Sequence, residues 1–122
     1  METFDGEEVI VFAGAAEFDS WLAHNHELPD GIWVKIAKKG SGIPSITEDE
    51  AVDVGLCWGW ISTLRKAYDD KYFLQRYTHR RPKSNWSRVN VAKVEALTTA
   101  GRIQPPGQAE IDAAKADGRW PE

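Results

Sequence analysis

Hydrophobic positions along this chain change their period several times, and each change marks an element. Val9-Ile10-Val11-Phe12 is a run of β-branched and aromatic residues, which predicts a short strand over Glu7 to Phe12 that ends at Gly14. From Ala15 to His26 the apolar residues Phe18, Trp21 and Leu22 fall at i, i+3 and i+4, the stripe of an amphipathic helix. Pro29-Asp30-Gly31 is turn chemistry. Gly31 to Ala37 then alternates, with Ile32, Val34 and Ile36 on one face and Trp33 and Lys35 on the other, so a second strand is expected. Lys38-Lys39-Gly40-Ser41-Gly42 reads as a loop.

Thr47 followed three residues later by Glu50 is the signature of a capping box. It opens a helix whose inner stripe is Ala51, Val54, Gly55 and Trp58, with Gly59 as terminator. Trp60 to Arg65 and Lys71 to Tyr77 read as two strands of a hairpin turning at Asp69-Asp70, the second closed by Pro82. Ser84 or Ser87 caps a helix that reaches Ala100, with Val91, Val94 and Leu97 inward and Gly101 just beyond. Pro105-Pro106 introduces a last helix, Gly107 to Asp117, stopped by Gly118. Strands and helices are mixed rather than strictly alternating. The expectation is one α+β domain over 1–122: a small, mostly antiparallel sheet of about four strands packed with about four helices, helical towards its C-terminus.

Composition supports a packed domain. Of 122 residues, 42% are hydrophobic and 28% charged, and six are tryptophan, so a small core can be covered by few large rings. Cys57 is the single cysteine, which excludes an internal disulfide and favours a reducing compartment. No apolar run approaches the ~20 residues that span a bilayer. The acidic start Met1-Glu2-Thr3-Phe4-Asp5 lacks the flank of a signal peptide, so the expected location is cytoplasmic, with no membrane insertion.

Charge changes the picture more. The chain carries a net −4, but residues 65–88 hold eight of its 15 Lys and Arg and two of its 19 Asp and Glu. That segment is +6 on a body of −10. Arg65, Lys66, Lys71, Arg76, Arg80, Arg81, Lys83 and Arg88 are interleaved with Tyr68, Tyr72, Phe73, Tyr77 and Trp86. Arginine donates bidentately to phosphate and carboxylate, and aromatic rings offer a stacking surface. On the strand, Tyr72, Leu74 and Arg76 share one face and Phe73, Gln75 and Tyr77 the other. Basic side chains also precede a helix start, where unpaired N–H groups favour an anion. The plainer reading of the same residues is a solvated hairpin whose rings fill the core and a serine that only caps a helix.

Other constellations carry less. Cys57 would serve as a nucleophile only with a base beside it, and between Leu56 and Trp58 it reads as a packing residue. Asp49 and Asp53 share a helix face and so could do acid–base work, but acids in a first turn also stabilise the helix dipole. His24 and His26 are two apart and do not share a helix face, so no metal site is expected. Lys38 to Gly42 lacks the spacing of a phosphate-binding loop and is read as a turn. No cofactor is implied.

The sequence resembles the YdeI/OmpD-associated family, also called bacteriocin-protection proteins. The likeness is carried by the Gly31–Gly42 stretch, by Glu50-Ala51-Val52 through Leu56-Cys57-Trp58-Gly59-Trp60-Ile61, and by Tyr72–Thr78. It continues through Arg80-Arg81-Pro82-Lys83-Ser84-Asn85-Trp86-Ser87-Arg88-Val89-Asn90, Gly101-Arg102-Ile103 and Ala113–Trp120. Where family members follow the Trp-Ile pair with Asp-Gly, this chain has Ser62-Thr63, and it ends at Glu122 where they continue into a further helical segment. A short member or an N-terminal domain is therefore expected. The resemblance implies a cytoplasmic bacterial protein linked to envelope stress or bacteriocin tolerance, and it brings no reaction or catalytic residue.

These readings favour a binding module that engages an anionic ligand or protein partner, with Arg76, Arg80, Arg81 and Arg88 supplying charge and Trp60, Tyr77 and Trp86 shaping the pocket. Nucleic-acid binding through the same band is the second class, and a small enzyme using Cys57 or the Asp49/Asp53 pair the third.

Overall fold

Five strands form one sheet in the order β1-β2-β3-β5-β4, in a computed structural model that describes residues 2–121. The strands are β1 (Glu2–Phe4), β2 (Glu7–Val11), β3 (Ile32–Ala37), β4 (Trp60–Ala67) and β5 (Tyr72–His79). The helices are α1 (Ala15–Asn25), α2 (Glu48–Cys57), α3 (Arg88–Thr99) and α4 (Pro105–Ala116). Only β2 and β3 run parallel, and α1 supplies the crossover that a parallel pair requires. The fold is α+β, with the two last helices at the C-terminal end as the hydrophobic pattern predicts.

The strand beyond those expected is β1. It joins β2 through Asp5-Gly6, both with positive φ (51° and 78°), the conformation a two-residue hairpin turn needs. Elsewhere the elements differ from expectation at their ends. β5 runs two residues past Tyr77, and α4 begins at Pro105 rather than Gly107. Ser87, not Ser84, caps α3, accepting from the Asn90 amide at 3.1 Å. The capping box of α2 is complete, with Thr47 and Glu50 each bonding the other's backbone.

All four helices pack on one face of the sheet. Phe18 and Leu22 of α1, Val54 of α2, Val94 of α3 and Ile111 of α4 belong to one cluster with Ile32, Val34, Ile36, Phe73 and Tyr77. Gly107 lets α4 approach the end of α2: a Cβ there would lie 2.3 Å from the Cys57 carbonyl oxygen. The opposite face carries a separate small cluster of Val9, Trp33 and Leu74, joined by Phe4, and no helix contributes to it. That face is where Arg76 of β5 and Lys35 of β3 emerge. No helix among the described residues is long and apolar enough to cross a membrane.

Candidate functional site

Alternation along β5 sends Phe73 and Tyr77 into the core and Leu74 and Arg76 to the open face. The register places Arg76 between Trp33 of β3 and Leu64 of β4. Its guanidinium sits 5.6 Å from the centre of the Trp33 ring, and Nη2 reaches Glu7 at 3.2 Å. Nη1 is buried and has no acceptor among the described residues. The side chain is 16% exposed, so this is a cation largely removed from water and half satisfied.

Two depressions meet at Arg76. The first, about 630 Å³, lies on the open face and is lined by Glu7, Trp33, Ile61, Leu64, Arg76 and Arg81 among others. Its floor is largely apolar, and Leu64 is 49% exposed there. The second, about 580 Å³, lies at the end of β5 against the Pro29-Asp30-Gly31 turn and is lined by Arg76, Thr78, Arg80 and Arg81, with Glu27 and Asp30 facing them. Arg76, Thr78 and Arg81 line both. A bulge between Ser62 and Leu64 bends β4 beside this junction.

Arg80 behaves differently from its neighbour. It is 1% exposed, and its amide closes onto the Gly59 carbonyl at 2.9 Å. The guanidinium lies over the Trp86 ring at 3.7 Å, and Nη1 donates to Ser84 Oγ and the Asn85 carbonyl, both at 3.0 Å. Burial draws its pKa down to about 10, against the opposing pull of Glu110, while Arg119 lowers it further. Trp86 in turn meets the Trp120 ring at 5.0 Å, and Arg119 Nη1 donates to the Ser84 carbonyl. The C-terminal segment is thereby tied to the loop after β5.

The other expected site residues are placed apart from this junction. Trp60 is fully buried on the helix side, its indole N–H donating to the His26 carbonyl at 2.9 Å and its ring meeting Trp21 edge-on. Tyr77 is fully buried beside Phe18, and burial drives its phenol pKa upward. Both shape the core rather than a cleft, because β5 alternation and the start of β4 turn them towards the helices. Arg88 is exposed as the first residue of α3.

Cys57 is buried, and desolvation pushes its thiol up to about 11, the reverse of what a nucleophile needs. Asp49 and Asp53 do share a face, and both point at Lys93 of α3, at 4.0 and 3.2 Å, as a helix–helix clamp. His24 and His26 bond back to carbonyls of α1, and among the described residues no group of three or more His, Cys, Asp or Glu is placed to hold a metal ion.

Sequence reasoning passed over Trp33, Ile61 and Leu64 as cleft residues. The alternation of β3 already separated Trp33 from the core-facing isoleucines, but only strand pairing brings it opposite Arg76. The Lys38–Gly42 loop, read from the sequence as a turn, borders a third depression of about 560 Å³ with Ile43, Arg65 and Phe73.

A family model matches residues 10–110, which include Arg76, Arg80, Arg81 and Trp86. The chain belongs to the DUF8412 family, a domain of unknown function. Neither a curated protein nor a solved structure matches it. Within this DUF8412 domain the two depressions and their shared arginines stand as the site with the clearest chemistry.

Proposed function

We propose that the protein is a binding module for an anionic ligand or an acidic protein segment, held where Arg76 and Arg81 line two adjoining depressions. The observation that carries this reading is the half-satisfied guanidinium of Arg76: one amino group pairs with Glu7 and the other, buried, has no acceptor. A carboxylate or phosphate oxygen would supply the missing partner, and such charge-assisted bonds are stronger than neutral ones. Trp33, Ile61 and Leu64 give the open-face depression an apolar floor, which suits a ligand with an apolar body and an acidic end. Glu7, Glu27 and Asp30 at the rims disfavour a ligand of high negative charge and favour one or two acidic groups.

Titration of ¹⁵N-labelled protein with inorganic phosphate, a mononucleotide and a short acidic peptide tests the reading. Shifts clustering on Trp33, Leu64, Arg76, Thr78 and Arg81 are expected with at least one of them. Absence of such a cluster with all three removes it.

Nucleic-acid binding is the second reading, supported by the exposed Arg65, Lys66 and Lys71 along the β4–β5 hairpin. It predicts binding that weakens steeply with salt. A gel shift seen at low salt with single-stranded or duplex DNA or RNA supports it, and none at ~50 mM salt rejects it. The resemblance to the YdeI/OmpD-associated family supports a cytoplasmic role in bacteriocin tolerance. Expression of the chain in a bacteriocin-sensitive strain should then raise survival, and unchanged survival would count against that role.

A further inference from the structure

We propose that the buried Nε–Nη2 edge of Arg80 is a receptor for a single oxyanion group, a carboxylate or a phosphate, next to the depression whose lining Arg80 shares with Arg76 and Arg81. The proposal deepens the anion-binding reading and rests on it.

An arginine side chain can meet two oxygens of one carboxylate or phosphate in parallel along the edge formed by Nε–H and the nearer Nη2–H, or at the tip through Nη1 and Nη2. In Arg80 Nη1 is already taken, and the Nε–Nη2 edge has no acceptor among the described residues at either nitrogen. All the contacts that fix the guanidinium use its remaining parts. Nη1 holds Ser84 Oγ and the Asn85 carbonyl, and the flat face lies on Trp86. The group is thus oriented in advance, with its bidentate edge left over, which lowers the entropy cost of binding an anion.

Leaving two donors of a buried cation unmet is costly, and few native groups do so without a partner. Arg80 shares the lining of one depression with Arg76 and Arg81, so an oxyanion drawn there lies next to the residue that carries the unmet edge. The edge is shielded from bulk water, so entry requires a small opening of the loop after β5. That loop contains Lys83 at φ 63°, a conformation that L residues other than Asn and Asp seldom adopt. The internal competitor is Glu110 of α4, the acid whose field acts on Arg80. A turn of its side chain onto the Nε–Nη2 edge would complete the pair without any ligand.

The Arg80 Nε–H resonance of the wild-type protein reads the two outcomes without any substitution, because a buried Nε–H exchanges slowly enough to be observed. Titration with inorganic phosphate and, separately, with acetate is expected to move it saturably with one or both. The arm that moves it identifies the oxyanion. If Arg76 and Arg81 respond while the Arg80 Nε–H stays fixed in both arms, this proposal is overturned and the broader reading stands. If nothing responds, both fall. Glu110→Gln is expected to leave the free-state Arg80 resonance in place; a large displacement would show that Glu110 already occupies the edge and would overturn the proposal. Arg80→Lys keeps the charge without the fork, and should weaken the responding anion by about tenfold, the worth of one charge-assisted bond.

Discussion

The two faces of the sheet are held by different physics. On the helix side, rings and branched chains from every helix close over Ile32, Val34, Ile36, Phe73 and Tyr77, and what fixes each residue is the area it removes from water. On the open side a three-residue cluster, Val9, Trp33 and Leu74, is ringed by cations that lie on aromatic faces and reach acids. Lys35 sits 4.4 Å from the Tyr68 ring and 4.6 Å from Tyr72, and pairs with Glu2 at 3.5 Å. Burial works to lower its pKa, but Glu2 and Tyr68 outweigh it and the net shift is upward. Arg76 repeats the arrangement with Trp33 and Glu7, except that one of its amino groups is left over. A face built this way contributes less to stability per residue, and its unspent donors are free for a ligand.

The contrast is broken most strongly from the covered side. Phe18→Ala removes a fully buried ring stacked on Phe12, and should cost about 3–5 kcal/mol, read by chemical denaturation. Gly107→Ala comes next: its Cβ would collide with the Cys57 carbonyl, so the helices must separate at a cost of about 1–3 kcal/mol. A loss below that range would mean that α4 rides more loosely on α2 than the distances indicate. Arg76→Gln on the open side should change stability by less than about 1 kcal/mol, since the cation it removes is only half paired and the Glu7 carboxylate it leaves is partly exposed, while removing the anion response. A large destabilisation with the response intact would reverse the contrast.

A smaller effect concerns pH. The folded state holds the Cys57 thiol near 11 against about 9 when unfolded, so it keeps its proton where the unfolded chain loses it. Stability from this source is complete below pH 9 and is lost as pH rises through 11. Denaturant midpoints measured across that window should fall with pH, and fall less in Cys57→Ala. Equal slopes would place the thiol in contact with water.

Much of the covered face was legible in the sequence, because period reports burial. The Phe18–Leu22 stripe, the Ile32, Val34 and Ile36 alternation and the Thr47/Glu50 box all predict elements that the fold contains. The β1 hairpin had a signal in Asp5-Gly6, but three residues of strand are too few for alternation to show. The open face was legible only in part. Alternation along β5 puts Arg76 outward, yet its neighbours Trp33 and Leu64 follow from strand register, which no local pattern encodes. Trp60, an obvious ring to assign to a pocket, points the other way because it opens β4 directly after the α2 cap. Arg80 was the least legible. Charge implies surface in a sequence, and only the tertiary placement of Trp86 and Ser84 makes a buried guanidinium tolerable. Ser84 itself looked like a helix cap and is instead spent on that arginine.

The central claim, that Arg76 and Arg81 together form the anion site, is tested most directly by a paired chemical-shift titration of the wild type and an Arg76→Gln/Arg81→Gln variant with the anion that gives the strongest response. The account predicts saturable shifts around the two depressions in the wild type and none in the variant, with the remaining spectrum unchanged. Shifts of equal size and affinity in both proteins would contradict it.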